Sequence, residues 1–346
     1  MGARSGNNYL SALRKLKASL WLDDERIADP SVHPAFVRRA RALASLYDLQ
    51  AEHPEAMTYR LADGSRAGLS FIVPVTVEEV RKRGAMFRRW ATHTGGAFLT
   101  PDRQNTALAA MMNAAVWIDE AERDADESRR RHRYYEQARA LDWCCTMGET
   151  AAVECRGQLV PALNAVEQTS RELVVSGAVR LDELAPFAEE MLILGKRPER
   201  GILAFAASCN GAGITIHGHR DESQAQDPRY HAIFDRAAIS WDRVFILNDL
   251  SDSADPETLL EAAKATPNLL HYDAIRALAR AEAGLPRAAP GEAEPPRSGA
   301  ALEGIAEARK LIAKAEAESA RIASGMLVPA AEPLREALRL LAESAA

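Results

Sequence analysis

A chain of 346 residues is long for one domain and reads as two or three. Apolar residues make up 47% and charged residues 27%, which excludes a wholly disordered or fibrous chain. Lys and Arg number 43 against 49 Asp and Glu, and the formal charge of −6 gives no global attraction to nucleic acid or anionic membranes.

NNYLSALRKLKASLWL sets Leu10, Leu13, Leu16 and Leu20 at helical spacing and predicts a short amphipathic helix. Arg14, Lys15 and Lys17 break any apolar signal region there, so export is not expected. DDERIADPSVHP reads as a loop, and AFVRRARALASLYDLQAEHPE as a helix stopping before Pro54. MTYRLADGSRAGLSFIVP predicts a hairpin turning at Asp63-Gly64. Thr76 and Glu79 form a capping-box opening for the helix VEEVRKRGAMFRRWATHTGG, which Gly95-Gly96 ends. Long helices follow through ALDW. Within them the apolar run Ala107 to Ile118 holds Asn113 and core-type Met111 and Met112, and is too short to span a bilayer.

From about Val153 to Asp249 the pattern alternates and predicts a block of strands. PETLLEAAKATPNLLHYDAIRALARAEAGL returns to helix, and the Pro/Ala/Gly-rich 286–299 reads as a linker. The tail predicts two helices parted by Gly325 and Pro329. Ile305, Leu311, Ile312 and Ala315 form a stripe for docking or for a second subunit. Helices, strands, then helices predict an α+β chain in three parts: 1–150, 151–249 and 250–346. Cys144, Cys145, Cys155 and Cys209 show no Cys-x-x-Cys spacing, and reduced thiols in a cytoplasmic protein are expected.

Several strings, taken in order, resemble the flavin-dependent 4-hydroxyphenylacetate 3-hydroxylase family. NNYLSALRKLKASLWLDDERIADPSVHPAF is similar to the family's opening. MTYRLADGSRAGLSFIVPVTVEEVRKRGAMFRRWATHTGG is similar to the segment leading into its active site. ELVVSGAVRLDELAPFAEEMLIL and AIFDRAAISWDRVFI resemble two of its strand motifs. The resemblance covers about residues 8–250. It implies an acyl-CoA-dehydrogenase-like build: a helical N-domain, a middle β-barrel and a C-terminal helical region. It also implies a two-component monooxygenase, in which a separate flavin reductase supplies FAD as FADH2. A flavin hydroperoxide then hydroxylates an aromatic or amine small molecule, the cofactor carrying the hard chemistry.

At the family's active-site motifs this sequence both keeps and departs from the pattern. Thr100, Pro101, Asp102 and Asn105 are kept, while Leu99 and Arg103 stand where the family has a substrate-facing Arg and Tyr. Met147, after Thr146, stands for the phenol-contacting His and cannot exchange a proton. Val153, Glu154 and Cys155 stand where the family has Gln-x-Asp while Arg156 is retained, and Glu183 replaces a flavin-proximal Thr. The resemblance thus implies Thr146, Arg156 and Thr100 as cofactor-binding residues, and Arg103 and His271 as catalytic ones. Arg103 reads either as a clamp for a carboxylate or phosphate, or as an exposed arginine at a helix start. His271 reads either as part of a helix closing the flavin pocket or as a packing histidine.

His217 and His219 share one strand face and could share a metal, but no third ligand is visible, so they read as two solvent-facing histidines. Arg220 beside them stands where the family often has an Arg. Arg129, Arg130, Arg131 and Arg133 follow an acidic block and read as a solvated helix face. Cysteines are missing at Leu99 and Arg103, where related dehydratases hold an iron–sulfur cluster, which argues against that chemistry.

Family members continue past SGMLVPAAEPLREALRLL with helices that complete the flavin site and tetramer. The sequence at hand ends at Ala346. Two functional readings stay open. One is an oxygenase working with a reductase, as a homo-oligomer or in complex with a pathway protein. The other is a catalytically degenerate partner or assembly subunit, suggested by Leu99, Arg103, Met147, Val153 and Glu183 together. A flavin-free isomerase or dehydratase has no residues to nominate.

Overall fold

The structure, a computed structural model, describes residues 2–111, 125–197, 201–220, 228–249, 266–284, 299–321 and 327–344. The linker, Met112, the acidic block before Arg129 and Gly325 lie largely or wholly outside these residues. The chain folds as two compact units: Met1–Ala51 with Trp117–Ala263, and Glu52–Val116 with Lys264–Ala346. Each is built from two separate stretches, where the sequence reading draws three consecutive parts. No described helix is long and apolar enough to cross a membrane.

The first unit starts with α1 (Gly6–Leu16), whose N-cap Ser5 accepts from the Asn8 N–H. Leu20 does not extend it. Lys17 turns left-handed at φ 54° and ends the helix, and Leu20 opens strand β1 (Leu20–Leu22). A second strand, β2 (Glu25–Ile27), lies within the segment expected to be a loop. These short strands owe their existence to β12 (Ile214–His219), on which β1 lies in parallel register. α2 (Val37–Glu52) buries Leu43, Leu46 and Tyr47. Tyr47 stacks on Tyr9 at 4.9 Å, and Arg4 lies against both rings while pairing with Glu189 at 2.6 Å.

One ten-stranded mixed sheet forms the body of this unit. Besides β1, β2 and β12 it uses β5 (Cys145–Thr150), β8 (Asn164–Gln168), β9 (Glu172–Leu181), β10 (Glu190–Arg197), β11 (Gly201–Ser208), β13 (Arg229–Ser240) and β14 (Val244–Asp249). The central block of strands thus begins at Cys145, earlier than the sequence pattern suggests. The order is β14-β11-β10-β5-β9-β13-β12-β1-β2, with β8 beside β9. In a flat sheet β11 and β13, four strands apart, would stand about 19 Å from each other. Phe205 on β11 and Phe234 on β13 instead meet edge-on at 6.0 Å. The sheet therefore curls over its own apolar face, and β11 is buried from Gly201 to Ala207. Helix α6 (Ala125–Leu141) lies on β14. Arg130 and Arg131 donate there to the Val244 and Phe245 carbonyls, and Arg131 is buried. This corrects the reading of the arginine run as a solvated face for Arg130 and Arg131, which sheet-edge carbonyls recruit, while Arg129 and Arg133 are exposed.

The second unit holds α3 (Pro54–Met57), the hairpin β3 (Thr58–Arg60) and β4 (Arg66–Gly68), α4 (Val77–Thr94) and α5 (Pro101–Met111). It adds α7 (Pro267–Ala283), α8 (Gly299–Ala317) and α9 (Ala331–Glu343), with a short ladder of β15 (Ala320–Arg321) and β16 (Leu327–Val328) between the last two. The capping box at Thr76 and Glu79 forms as expected, and Gly95 ends α4 at φ 60°. The apolar stripe of α8 is buried at Ile305, Ile312 and Ala315 within this unit, where α8 meets α7 and α9.

Candidate functional site

Candidate residues fall into both units, and each group is built by its own elements. In the first unit, Thr146 sits fully buried on β5. Its hydroxyl donates to Asp182 Oδ1 at 2.7 Å, and the Met147 N–H donates to Asp182 Oδ2 at 2.9 Å. Thr146 thus spends its one donor and keeps its lone pairs as acceptors. Glu183, next to Asp182, is held by Arg39 at 2.5 Å.

Arg156 occupies the tip of a hairpin, β6 (Val153–Cys155) and β7 (Gln158–Val160). Its φ of 51° and that of Gly157, 74°, give the two left-handed residues a primed hairpin turn requires. Holding a non-glycine residue there costs about 1–2 kcal/mol. The guanidinium lies 4.6 Å from the Trp21 ring centroid. The residue is exposed, and no hydrogen bond or ion pair takes up its donors among the described residues. An arginine fixed by its face with its N–H edge unspent suits a phosphate.

Around it stand residues the sequence reading joined only in part. Trp21 registers with His217, and His217 with His231 on β13, so all three rise from one sheet face. His217 and His231 stack at 5.4 Å, and His219 and His231 at 5.2 Å. His217 is only 6% exposed, which corrects its reading as solvent-facing, while His219 is half-buried and His231 is as buried as His217. Burial, with Arg156 beside His217 and the imidazoles beside one another, pushes His217 and His231 down to about 4, so both rings are neutral at pH 7. Arg220 is exposed and paired with Asp23 at 2.8 Å.

In the second unit, the start of α5 buries polar side chains: Asp102, Gln104, Asn105 and Thr106 are all at most 1% exposed. Tyr272 and Thr100 hydroxyls lie 3.0 Å apart, and Thr100 donates to Asp102 Oδ1 at 2.5 Å. Asp102 Oδ2 is buried without a partner among the described residues. Burial raises the Asp102 carboxyl to about 7, against the smaller pull of the Thr100 bond. The sequence reading placed Asp102 only as scaffold, and nothing in its local pattern showed this protonation.

Arg103 is neither free nor exposed at its helix start. It lies 3.6 Å from Asp273, with a side chain 21% exposed. His271 is fully buried on α7, edge-on to Phe87, and its Nε2 lies 3.0 Å from Glu316 Oε1. Its Nδ1 finds no partner among the described residues, and burial lowers its pKa against the raising pull of Glu316. Gly84 makes this arrangement possible, since a Cβ there would stand 2.4 Å from Glu316 Oε1 and 2.9 Å from His271 Cε1. Arg83 nearby is also fully buried and bonded to Asn268. The structure thus places Thr100, Arg103 and His271 in one unit, and Thr146 and Arg156 in the other.

Helices combined with a large curled mixed sheet define an acyl-CoA-dehydrogenase-like α+β protein. The structure of the oxygenase component of 4-hydroxyphenylacetate 3-monooxygenase complexed with FAD matches 99% of this chain and 80% of its own, at a TM-score of 0.76 and 26% identity. A 4-hydroxybutyryl-CoA dehydratase from N. maritimus matches 99% of this chain and 77% of its own, with a TM-score of 0.72. At 15% identity that likeness speaks to fold alone. The sequence model described as 4-hydroxyphenylacetate 3-hydroxylase N terminal matches residues 5–246. The chain belongs to this family. Among curated relatives, the 4-hydroxyphenylacetate 3-monooxygenase oxygenase component of Thermus thermophilus is 30% identical over 275 residues, 72% of this chain and 56% of that one. The chain therefore spans a little over half the length of such curated relatives.

The donors of Arg156, unspent among the described residues, fit an anionic diphosphate, while Thr146, fully buried with its hydroxyl donating to Asp182, has only acceptor lone pairs left to offer. Thr100 fits less directly, because its hydroxyl is engaged by Tyr272 and Asp102.

Proposed function

We propose that the chain is the oxygenase part of a two-component, FADH2-dependent monooxygenase that hydroxylates an aromatic or amine small molecule. The observation that carries this is the likeness over 99% of the chain to a solved oxygenase component bound to FAD. Within the chain, the guanidinium of Arg156, whose donors are unspent among the described residues, supports it. Arg156 would hold the diphosphate and Thr146 would accept from the flavin. Bound reduced flavin supplies oxygen activation and transfer of one oxygen atom. The protein's own residues do the rest. Asp102, protonated near neutrality, holds a proton at Oδ2, and its pKa suits acid–base work at pH 7. His271 would present Nδ1 as a second proton site. Arg103 would exchange Asp273 for an acidic group of the substrate. A phenol is the substrate class we favour, since the named relatives act on 4-hydroxyphenylacetate.

A separate reductase would deliver FADH2, and assembly as a homo-oligomer or with a pathway protein belongs to the same proposal. Four cysteines without a disulfide agree with a cytoplasmic setting. The test is turnover of a phenol panel with a flavin reductase, NADH, FAD and O2, with products read by mass. The expected result is a product heavier by one oxygen, formed only with the chain present and at least tenfold more slowly by Arg156→Gly. Formation of no oxygenated product, with reductase and reduced flavin verified active, would overturn the reading.

A further inference from the structure

Cys155, His219 and His231 bring one ligand atom each to within 4.8 Å of one another. His219 Nε2 and His231 Nε2 are buried without a hydrogen-bond partner among the described residues, and so is His217 Nδ1 beside them. A buried nitrogen that has lost water and gained nothing is costly, and three on one face point to a shared partner. The placement is a product of register. β12 sets His217 and His219 two residues apart, β13 sets His231 opposite His217, and the β6–β7 hairpin brings in Cys155, which is 9% exposed.

We propose that this cluster binds a divalent cation of the zinc class through Cys155 Sγ and the imidazoles of His219 and His231, with His217 or water as the fourth ligand. One thiolate with two imidazoles is a borderline-soft donor set, which favours zinc over magnesium or calcium. A tetrahedral zinc needs donor atoms about 3.3–3.6 Å apart, so the three converge by about 1 Å on binding. The Cys155 thiol gives its proton to solvent as the metal binds. Arg156 adds a positive charge next door, and the thiolate offsets one of the ion's two. The bound ion fastens the hairpin carrying Arg156 onto β12 and β13. All these residues belong to the first unit, and the site stands whether or not the chain binds flavin.

The test is titration of Co2+ into the chelator-stripped, untagged chain, followed by displacement with Zn2+. The expected result is saturation at one Co2+ per chain, with a thiolate-to-cobalt charge-transfer band and the visible bands of a tetrahedral ion. Cys155→Ser should abolish the charge-transfer band, since Cys144, Cys145 and Cys209 remain in that variant. His231→Ala should weaken binding at least tenfold. If that buried substitution unfolds the chain by circular dichroism, the half-exposed His219→Ala carries the same expectation. No saturable band in the parent, a band undiminished in Cys155→Ser, or unchanged affinity in His219→Ala would each overturn the proposal.

Discussion

Asp102 offers the sharpest link between burial and pH. Its side chain is fully buried, and its carboxyl is raised from 3.8 to about 7. The unfolded chain ionises this group near pH 4, while the folded chain resists ionisation until about pH 7. A raised carboxyl contributes stability that is fully present below the unfolded pKa and lost as pH rises through the folded one. Between pH 5 and pH 8 that loss amounts to about 2.5 kcal/mol for this residue. Asp102→Asn keeps the shape and the Thr100 bond but cannot ionise. Urea unfolding of parent and variant at pH 5 and pH 8 therefore isolates Asp102 from the other buried carboxyls, Asp142, Glu190 and Asp273, which burial also raises. The parent should lose about 2.5 kcal/mol more than Asp102→Asn over that range. Equal pH dependence in the two proteins would refute the reasoning.

Other consequences follow from single contacts. Gly84→Ala should destabilise by about 1–3 kcal/mol, because overpacking against Glu316 and His271 outweighs the roughly 1 kcal/mol gain in helix propensity. A rise in melting temperature would contradict this. Glu189→Gln leaves Arg4 buried with a weakened partner and should cost about 3 kcal/mol by chemical denaturation. A loss under about 1 kcal/mol would mean that the Tyr9 and Tyr47 rings alone hold Arg4. Arg156→Gly relieves a left-handed non-glycine residue and gives up an exposed ring contact, so stability should stay within about 1 kcal/mol of the parent. A larger loss would show that Arg156 serves the fold.

Features governed by nearby residues were legible in the sequence. The Thr76–Glu79 capping box, the stop at Gly95 and the Asp63-Gly64 hairpin rest on chemistry within a few residues of each element. Strands β1 and β2 were not legible, since three-residue strands have no pattern of their own and β1 takes its ladder from Ile216–Gly218. Arg131 was misread for the same reason, its partner being the Phe245 carbonyl. The histidine cluster was half legible. His217 and His219 advertise one face, but His231 and Cys155 join only through strand register and the hairpin. Aligning ITIHGH against RYHAIF as antiparallel partners would have put His231 opposite His217. At the family motifs, the departures at Leu99, Arg103 and Met147 were plain in sequence. What Arg103 touches instead, Asp273, became visible only in the fold.

The central claim is that this chain holds reduced flavin through Arg156. It is tested most directly by anaerobic titration of FADH2, followed by absorbance and by retention on ultrafiltration. The account predicts saturable binding at one flavin per chain, weakened at least tenfold in Arg156→Gly with stability retained. Absence of saturable binding, or identical affinity in Arg156→Gly, would contradict it.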